Sequence, residues 1–312
     1  MSRIHEALKK AAQDRAAVQP VDVVAVPHKQ VEATPGRGDC ASTVSGVVVS
    51  QAATVVSLPS DYLRFDDLRA RCAHPQWQLD PNMNVFLNSE MGGHGSEQFR
   101  TLRSRLYQLR GDQPLRTLLV TSSIPGEGKT FVTNNLAQAI VRQPDRRALI
   151  LDADLRCPRL HLTLGAPLAP GLSDYLQDKA DEPAIIQHGQ EGNLCLIAGG
   201  KEVTNPSELL SNGRLKTLLG RVAPVFDWVI LDSPPCLPVA DASVLADMCD
   251  GVLLVVRADS TPSEVAQRAC QELQGRRIVG VVLNAVEESY GYGTYYYNGY
   301  TYGYGHSGSN GS

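Results

Sequence analysis

Thr121-Ser-Ser-Ile-Pro-Gly-Glu-Gly-Lys-Thr130 follows the apolar run Leu118-Leu-Val120 and precedes a helical pattern from Phe131 to Val141. Strand, glycine-containing loop and helix, in that order, make a phosphate-binding loop. Backbone N–H groups of such a loop and of the helix N-terminus converge on one point and favour an anion there. Gly126 and Gly128 let the backbone approach phosphates without a Cβ in the way. Lys129 is placed to reach the β- and γ-phosphates and Thr130 to ligate Mg²⁺. Pro125, Gly126, Glu127, Gly128, Lys129, Thr130 and Phe131 are therefore the expected nucleotide contacts. The strict G-x-x-x-x-G-K-[ST] pattern has one miss, because Ser123 stands where the first glycine belongs. Taken alone, the stretch also fits a glycine-rich turn before an ordinary helix.

Two further stretches favour the nucleotide reading. Ala148-Leu-Ile-Leu-Asp-Ala-Asp154 and Val229-Ile-Leu-Asp-Ser-Pro-Pro235 are apolar runs that end in carboxylates. Continuous apolar runs are the signature of buried parallel strands. Open α/β sheets bind ligands at the carboxyl ends of their strands. One carboxylate at a strand end is explained by helix capping. Asp152, Asp154 and Asp232 delivered to the crevice that holds Lys129 and Thr130 point to a site for ATP with Mg²⁺.

Composition sets the frame. The 312 residues suffice for one good-sized α/β domain with extensions. Apolar residues make up 43% and charged residues 20%, as in ordinary globular proteins. A net charge of −4 gives no sign of nucleic-acid binding. The seven cysteines (40, 72, 157, 195, 236, 249 and 270) form no C-x-x-C pair, which fits thiols in a reducing cytoplasm. No stretch reaches the roughly 20 apolar residues that a membrane-spanning helix needs. A signal peptide's apolar region is not seen at the N-terminus either. Any membrane role is expected to come through a partner.

Along the chain, residues 1–16 read as a short amphipathic helix with Ile4, Leu8 and Ala11 on one face, suited to a partner protein or a membrane surface, or frayed without either. Residues 17–85 read as linker and arm, largely without order, with a stray Val47-Val-Val49 cluster and with Phe65 and Trp77 folding onto the main domain. The main domain is expected over 86–288. It opens with a helix capped at Ser96 in which Glu97, Arg100 and Arg103 recur every three residues and cluster on one side. Strands at 116–122, 147–152, 193–198, 227–232, 251–256 and 277–284 alternate with helices at 129–142, 206–219, 240–248 and 262–273. That alternation predicts an α/β fold with a doubly wound, mostly parallel sheet of the P-loop NTPase kind. Asn205 is the expected cap of the helix that Pro206 opens. Residues 289–312 form a flexible tail. Tyr290, Tyr292, Tyr295, Tyr296, Tyr297, Tyr300, Tyr302 and Tyr304 are eight of the chain's eleven tyrosines, and no charge lies among them. A cluster of accessible phenols beside an ATP site suggests phosphate acceptors.

Over residues 94–304 the sequence resembles the bacterial tyrosine kinases of polysaccharide synthesis, a P-loop family. The motifs that carry the resemblance are Glu97-x-x-Arg100-x-x-Arg103, Pro125-Gly-Glu-Gly-Lys-Thr130, Leu151-Asp-Ala-Asp-Leu-Arg156, Asn205-Pro-Ser-Glu-Leu-Leu210, Leu231-Asp-Ser-Pro-Pro235 and the tyrosine cluster. The family loop usually carries the serine seen at 123. The resemblance implies phosphoryl transfer from ATP, with Mg²⁺, to tail tyrosines in trans, regulating exopolysaccharide or capsule synthesis or export. It implies a homo-oligomeric ring joined through Glu97, Arg100 and Arg103, with each tail entering the neighbouring site. It also implies a separate membrane-spanning chain-length regulator that activates the kinase and recruits it from the cytoplasm to the inner face of the membrane, and a tyrosine phosphatase as a further partner. The long N-terminal segment departs from the minimal split form. Thr130, Asp154 and Asp232 are the expected metal ligands; Lys129, Asp152, Asp154 and Asp232 are the catalytic set. Asp152 is the candidate for orienting or deprotonating the tyrosine, a role that Asp154 could exchange with it. Arg156 is a candidate for holding the acceptor or a neighbour.

Two other readings compete. A partitioning-type P-loop ATPase would carry a signature lysine where Ile124 stands. A nucleotide-dependent scaffold would bind ATP and use the tail only for contact. A dinucleotide oxidoreductase is disfavoured because the loop lacks G-x-G-x-x-G.

Overall fold

The computed structural model describes residues 64–87, 92–111, 114–189 and 192–286. The N-terminal helix, the linker with Val47–Val49 and the eight tail tyrosines lie outside the described residues. Seven strands form one sheet in the order β3-β4-β2-β5-β1-β6-β7. They are β1 (Thr117–Ser122), β2 (Ala148–Asp152), β3 (Ile186–His188), β4 (Leu194–Ile197), β5 (Trp228–Asp232), β6 (Gly251–Arg257) and β7 (Ile278–Asn284). All neighbours pair in parallel except β3 with β4. Six strands match those expected from the apolar runs. The short antiparallel β3 was not expected, because three residues at an edge leave no periodicity to read.

Successive side chains along the central strands alternate between two buried layers, as a pleated sheet requires. Leu118, Val120, Ile150, Ile230 and Leu253 face one core layer, while Leu119, Leu149, Leu151, Val229 and Leu254 face the other. The first layer is covered by α2 (Gly92–Arg110), α3 (Lys129–Val141) and α4 (Leu160–Leu164), through Phe99, Leu106, Leu136, Ile140 and Leu164. The second packs against Phe65 and Leu68 of α1 (Phe65–Arg71), α5 (Leu172–Leu176), α6 (Glu182–Ile185), α7 (Pro206–Ser211), α8 (Arg214–Val222), α9 (Asp241–Ala246) and α10 (Ser263–Glu272). Helices on both faces of a largely parallel sheet make the fold doubly wound, as the alternating pattern predicts.

Three local expectations are corrected. The helix expected to be capped at Ser96 begins at Gly92, so Ser96 is a buried residue inside α2. The helix expected over 206–219 is two, broken where Gly213 adopts φ 84°, a left-handed backbone that glycine takes at no steric cost. Asn205 precedes α7 but caps nothing with its side chain; its amide donates instead to Glu208 Oε2 at 3.1 Å.

The arm over 64–87 is tied to the sheet domain at both ends. Phe65 stands edge-on to Phe226 at 5.7 Å under the Arg147 guanidinium, and Ala73 pairs with Gln187. Farther along, Asn135 of α3 accepts the Val85 N–H at 2.9 Å, and Asn134 and Asn135 both donate to the Met83 carbonyl. Buried amides of this kind satisfy backbone groups that no strand partner reaches. Among the described residues no helix is long and apolar enough to cross a membrane. Asn135→Ala orphans a buried donor and removes a donor to the Met83 carbonyl, which should cost about 1–3 kcal/mol. The melting temperature should fall by roughly 2–10 °C, while Leu87→Ala, at a position 44% exposed, should change it little; calorimetry on both variants checks this.

Candidate active site

Three strand ends and one loop build the site. β1 ends at Ser122, the loop turns over Gly126 at φ 85° and Gly128 at φ 96°, and α3 starts at Lys129. Gly128 is required twice over: its φ is left-handed, and a Cβ there would run into the Asn284 amide. Asn284, at the end of β7, donates to the Glu127 carbonyl at 2.8 Å. The Glu127 side chain, 2% exposed, points away from the phosphate side. It accepts the Ile124 N–H at 2.8 Å, the Thr261 hydroxyl at 2.6 Å and the Arg257 N–H at 3.4 Å. The loop is thus braced from behind by the ends of β6 and β7. Pro125 and Gly126 are exposed, and Phe131 stacks edge-on against Phe99 at 5.9 Å, within the α2–α3 contact.

Register places the carboxylates. Asp152 and Asp232 pair directly at the ends of β2 and β5. Thr130 donates to Asp232 Oδ2 at 2.6 Å, and Lys129 Nζ lies 3.4 Å from Asp154 Oδ2. The loop and all three aspartates therefore meet in one crevice. Asp152 is fully buried; its two oxygens accept the N–H groups of Asp154 at 3.2 Å and Leu160 at 2.9 Å. Burial, then the neighbouring Asp232 charge, push its pKa well above the carboxylate range. Burial also raises Asp232 to about 7, against the opposing pull of Lys129 and Thr130.

The donor set suits Mg²⁺. Asp232 Oδ1 is buried with no hydrogen-bond partner, beside the Thr130 hydroxyl on the other oxygen. Among the described residues no group of three or more His, Cys, Asp or Glu side chains is arranged to hold a metal ion alone. Mg²⁺ needs no such cage, because it keeps several waters and shares nucleotide phosphates.

Other candidate residues fall elsewhere. Arg156 is committed to the fold: Nε donates to Asp241 Oδ2 at 2.7 Å, and Nη2 donates to Asp241 Oδ1 at 3.2 Å and to Ser207 at 2.9 Å. Glu97 and Arg100 form an exposed ion pair at 2.9 Å, worth a few tenths of a kcal/mol. Arg103 does not join them, because it turns inward and donates to the Ala139 carbonyl of α3 at 2.6 Å. Sequence reasoning missed the braces Thr261, Arg257 and Asn284 and the buried partner Asp241. Asn284 at a strand end was the one legible signal among them.

No protein-family model matches the chain. Tyrosine-protein kinase YwqD of Bacillus subtilis is 34% identical over 215 residues, covering 67% of this chain and 90% of that protein. Tyrosine-protein kinase etk of Escherichia coli K12 is 36% identical over 192 residues, and the chain spans only 26% of its length. Among solved structures, the kinase domain of Escherichia coli tyrosine kinase ETK superposes with a TM-score of 0.60 at 33% identity, covering 67% of this chain and 84% of that one. The chimerical protein CapA2B2 gives a TM-score of 0.62 at 26% identity, covering 72% and 99%. With the loop and the strand-end aspartates in one crevice, and a relative matched over nine-tenths of its length, the chain belongs to the bacterial tyrosine-protein kinase family.

Proposed function

We propose that the chain transfers the γ-phosphoryl group of ATP to the tyrosines of its C-terminal tail, one copy acting on another, in the control of exopolysaccharide or capsule synthesis or export. The observation that carries this reading is the double engagement of the loop, Lys129 with Asp154 and Thr130 with Asp232. Phosphoryl transfer depends mainly on positioning and charge stabilisation. The loop amides and Lys129 bind the β- and γ-phosphates, with Lys129 exchanging its carboxylate partner for phosphate oxygens. Thr130, Asp154 and Asp232 would hold Mg²⁺, which neutralises charge on the phosphates. Asp152 takes the tyrosine proton. Each of its oxygens keeps a lone pair beyond the amide it accepts.

The tail, with eight uncharged-flanked phenols between 290 and 304, is the acceptor. Glu97 and Arg100, exposed on α2, are available for contacts within a ring; Arg103 supports that helix from beneath. A separate membrane-spanning regulator activates the kinase and brings it to the inner face of the membrane, and a tyrosine phosphatase resets it. Isoleucine stands at 124, where a partitioning ATPase carries its signature lysine, so that position brings no second cation to the loop.

Two outcomes test this. Lys129→Met should cut phosphotyrosine formation at least about 100-fold in a radiolabel assay with Mg·ATP; undiminished labelling would overturn the site assignment. The second concerns Asp232. Because its pKa is raised from 3.8 to about 7 in the fold, the folded chain holds a proton that the unfolded chain has released. Stability therefore declines as pH rises from about 4 to 7, and the full penalty, roughly 4 kcal/mol, stands above pH 7. Asp232→Asn should melt several degrees above the parent at pH 8, with the gap closing towards pH 5, while losing transfer activity. Melting curves of equal spacing at both pH values would contradict the buried-carboxylate account.

A further inference from the structure

The phosphate loop carries a carboxylate of its own. Glu127 stands between Gly126 and Gly128 and is 2% exposed. Its Oε2 accepts the Ile124 N–H at 2.8 Å, and its Oε1 accepts the Thr261 hydroxyl at 2.6 Å and the Arg257 N–H at 3.4 Å. Every one of these contacts is a donor, as suits the ionised form. Among the described residues no ion pair answers the charge. The Arg257 guanidinium is engaged instead with the Gly126 carbonyl, at 3.3 Å on the solvent side.

The rest of the site repeats the sign. Asp152, Asp154 and Asp232 stand at the crevice, and the Lys129 ammonium lies against one of them, 3.4 Å from Asp154 Oδ2. Arg156, two residues beyond Asp154, is held by Asp241. A site for phosphates is therefore richer in carboxylates than in cations. A metal ion accounts for the aspartates. Glu127 needs another account, because it lies behind the loop with its oxygens taken by three protein donors. Bracing the loop calls for an acceptor there, which a neutral amide would also supply. The charge is what bracing leaves unexplained.

We propose that Glu127 is a specificity-determining residue whose charge makes the site take a nucleotide as its Mg²⁺ complex and reject the metal-free form. The proposal rests on the reading of the loop as the phosphate site. The carboxylate is one side chain away from the amides that cradle phosphates, on the order of 10 Å or less from the phosphates themselves. At 2% exposure, solvent and salt screen it little, so it repels an anion at that range. The repulsion grows with the charge of the ligand. Metal-free ADP is more negative than its Mg²⁺ complex by the two charges of the ion. ADP that has lost its metal after transfer is therefore expelled, and the loop empties for the next Mg·ATP. Glu127 acts through the loop and touches none of the reacting atoms.

The test is calorimetric titration of the full chain with ADP, with and without Mg²⁺. The parent should bind Mg·ADP at least about tenfold more tightly than metal-free ADP. Glu127→Gln should tighten metal-free ADP about tenfold and Mg·ADP only about twofold, narrowing that difference. Thr261→Val removes a brace and keeps the charge, so it should weaken both forms alike, and Thr261→Ser should restore the parent values. A purely structural Glu127 would lose affinity on replacement, so the direction of change decides. Unchanged or weaker binding of metal-free ADP by the folded Glu127→Gln chain overturns the proposal, as does equal tightening of both forms. A parent that binds both forms equally overturns it however the variant folds. A parent that binds neither overturns the phosphate-site reading, and the proposal with it.

Discussion

Two carboxylates buried side by side constrain this structure more than any other feature. The β2–β5 register sets Asp152 opposite Asp232, both fully enclosed at the ends of strands made otherwise of apolar residues. Burying one such charge is costly, and burying two beside each other is worse. The surrounding parts answer that cost. Two backbone amides converge on Asp152, the Thr130 hydroxyl bonds Asp232, and the Lys129 ammonium lies close by on Asp154. What remains unanswered is the bare Asp232 Oδ1, where the proposed nucleotide-bound Mg²⁺ would supply positive charge. The fold holds these groups in place with two apolar layers, and their instability is what suits them to chemistry.

The phosphate loop is held by the same logic in reverse. Its front must stay open to an anion, so its own carboxylate, Glu127, is turned backwards and fixed by donors from β6 and the turn before α10. Asn284 then fixes the loop backbone at the point where β7 gives way to the tail. The phosphate loop and the end of the strand that leads into the tail are therefore in direct contact.

Much of this was legible in the sequence, for physical reasons. Short apolar runs such as Leu149–Leu151 and Val229–Leu231 read as buried strands, and a carboxylate after each then emerges at a strand end. Asp152, Asp154 and Asp232 were placed on that ground, and Lys129 and Thr130 by the glycine-containing loop between β1 and α3. The tertiary partners were not legible. Arg103 and Arg100 are chemically alike and three residues apart, yet one faces solvent and the other the Ala139 carbonyl, a difference set by helix phase against α3. Arg156 reads as a free cation until Asp241, eighty-five residues away, is seen beneath it. Edge strand β3 and the break at Gly213 are too short or too local to leave a periodic trace.

The central claim, that this site phosphorylates tyrosines of the chain's own tail, is tested most directly by locating the phosphate. The full-length wild-type chain would be incubated with Mg·ATP and the cytoplasmic fragment of a cognate membrane regulator, then analysed by intact mass and peptide mapping. The account predicts several added phosphates, all on tyrosines between Tyr290 and Tyr304. ATP consumed with no phosphate on those tyrosines would contradict it and leave an ATPase in its place.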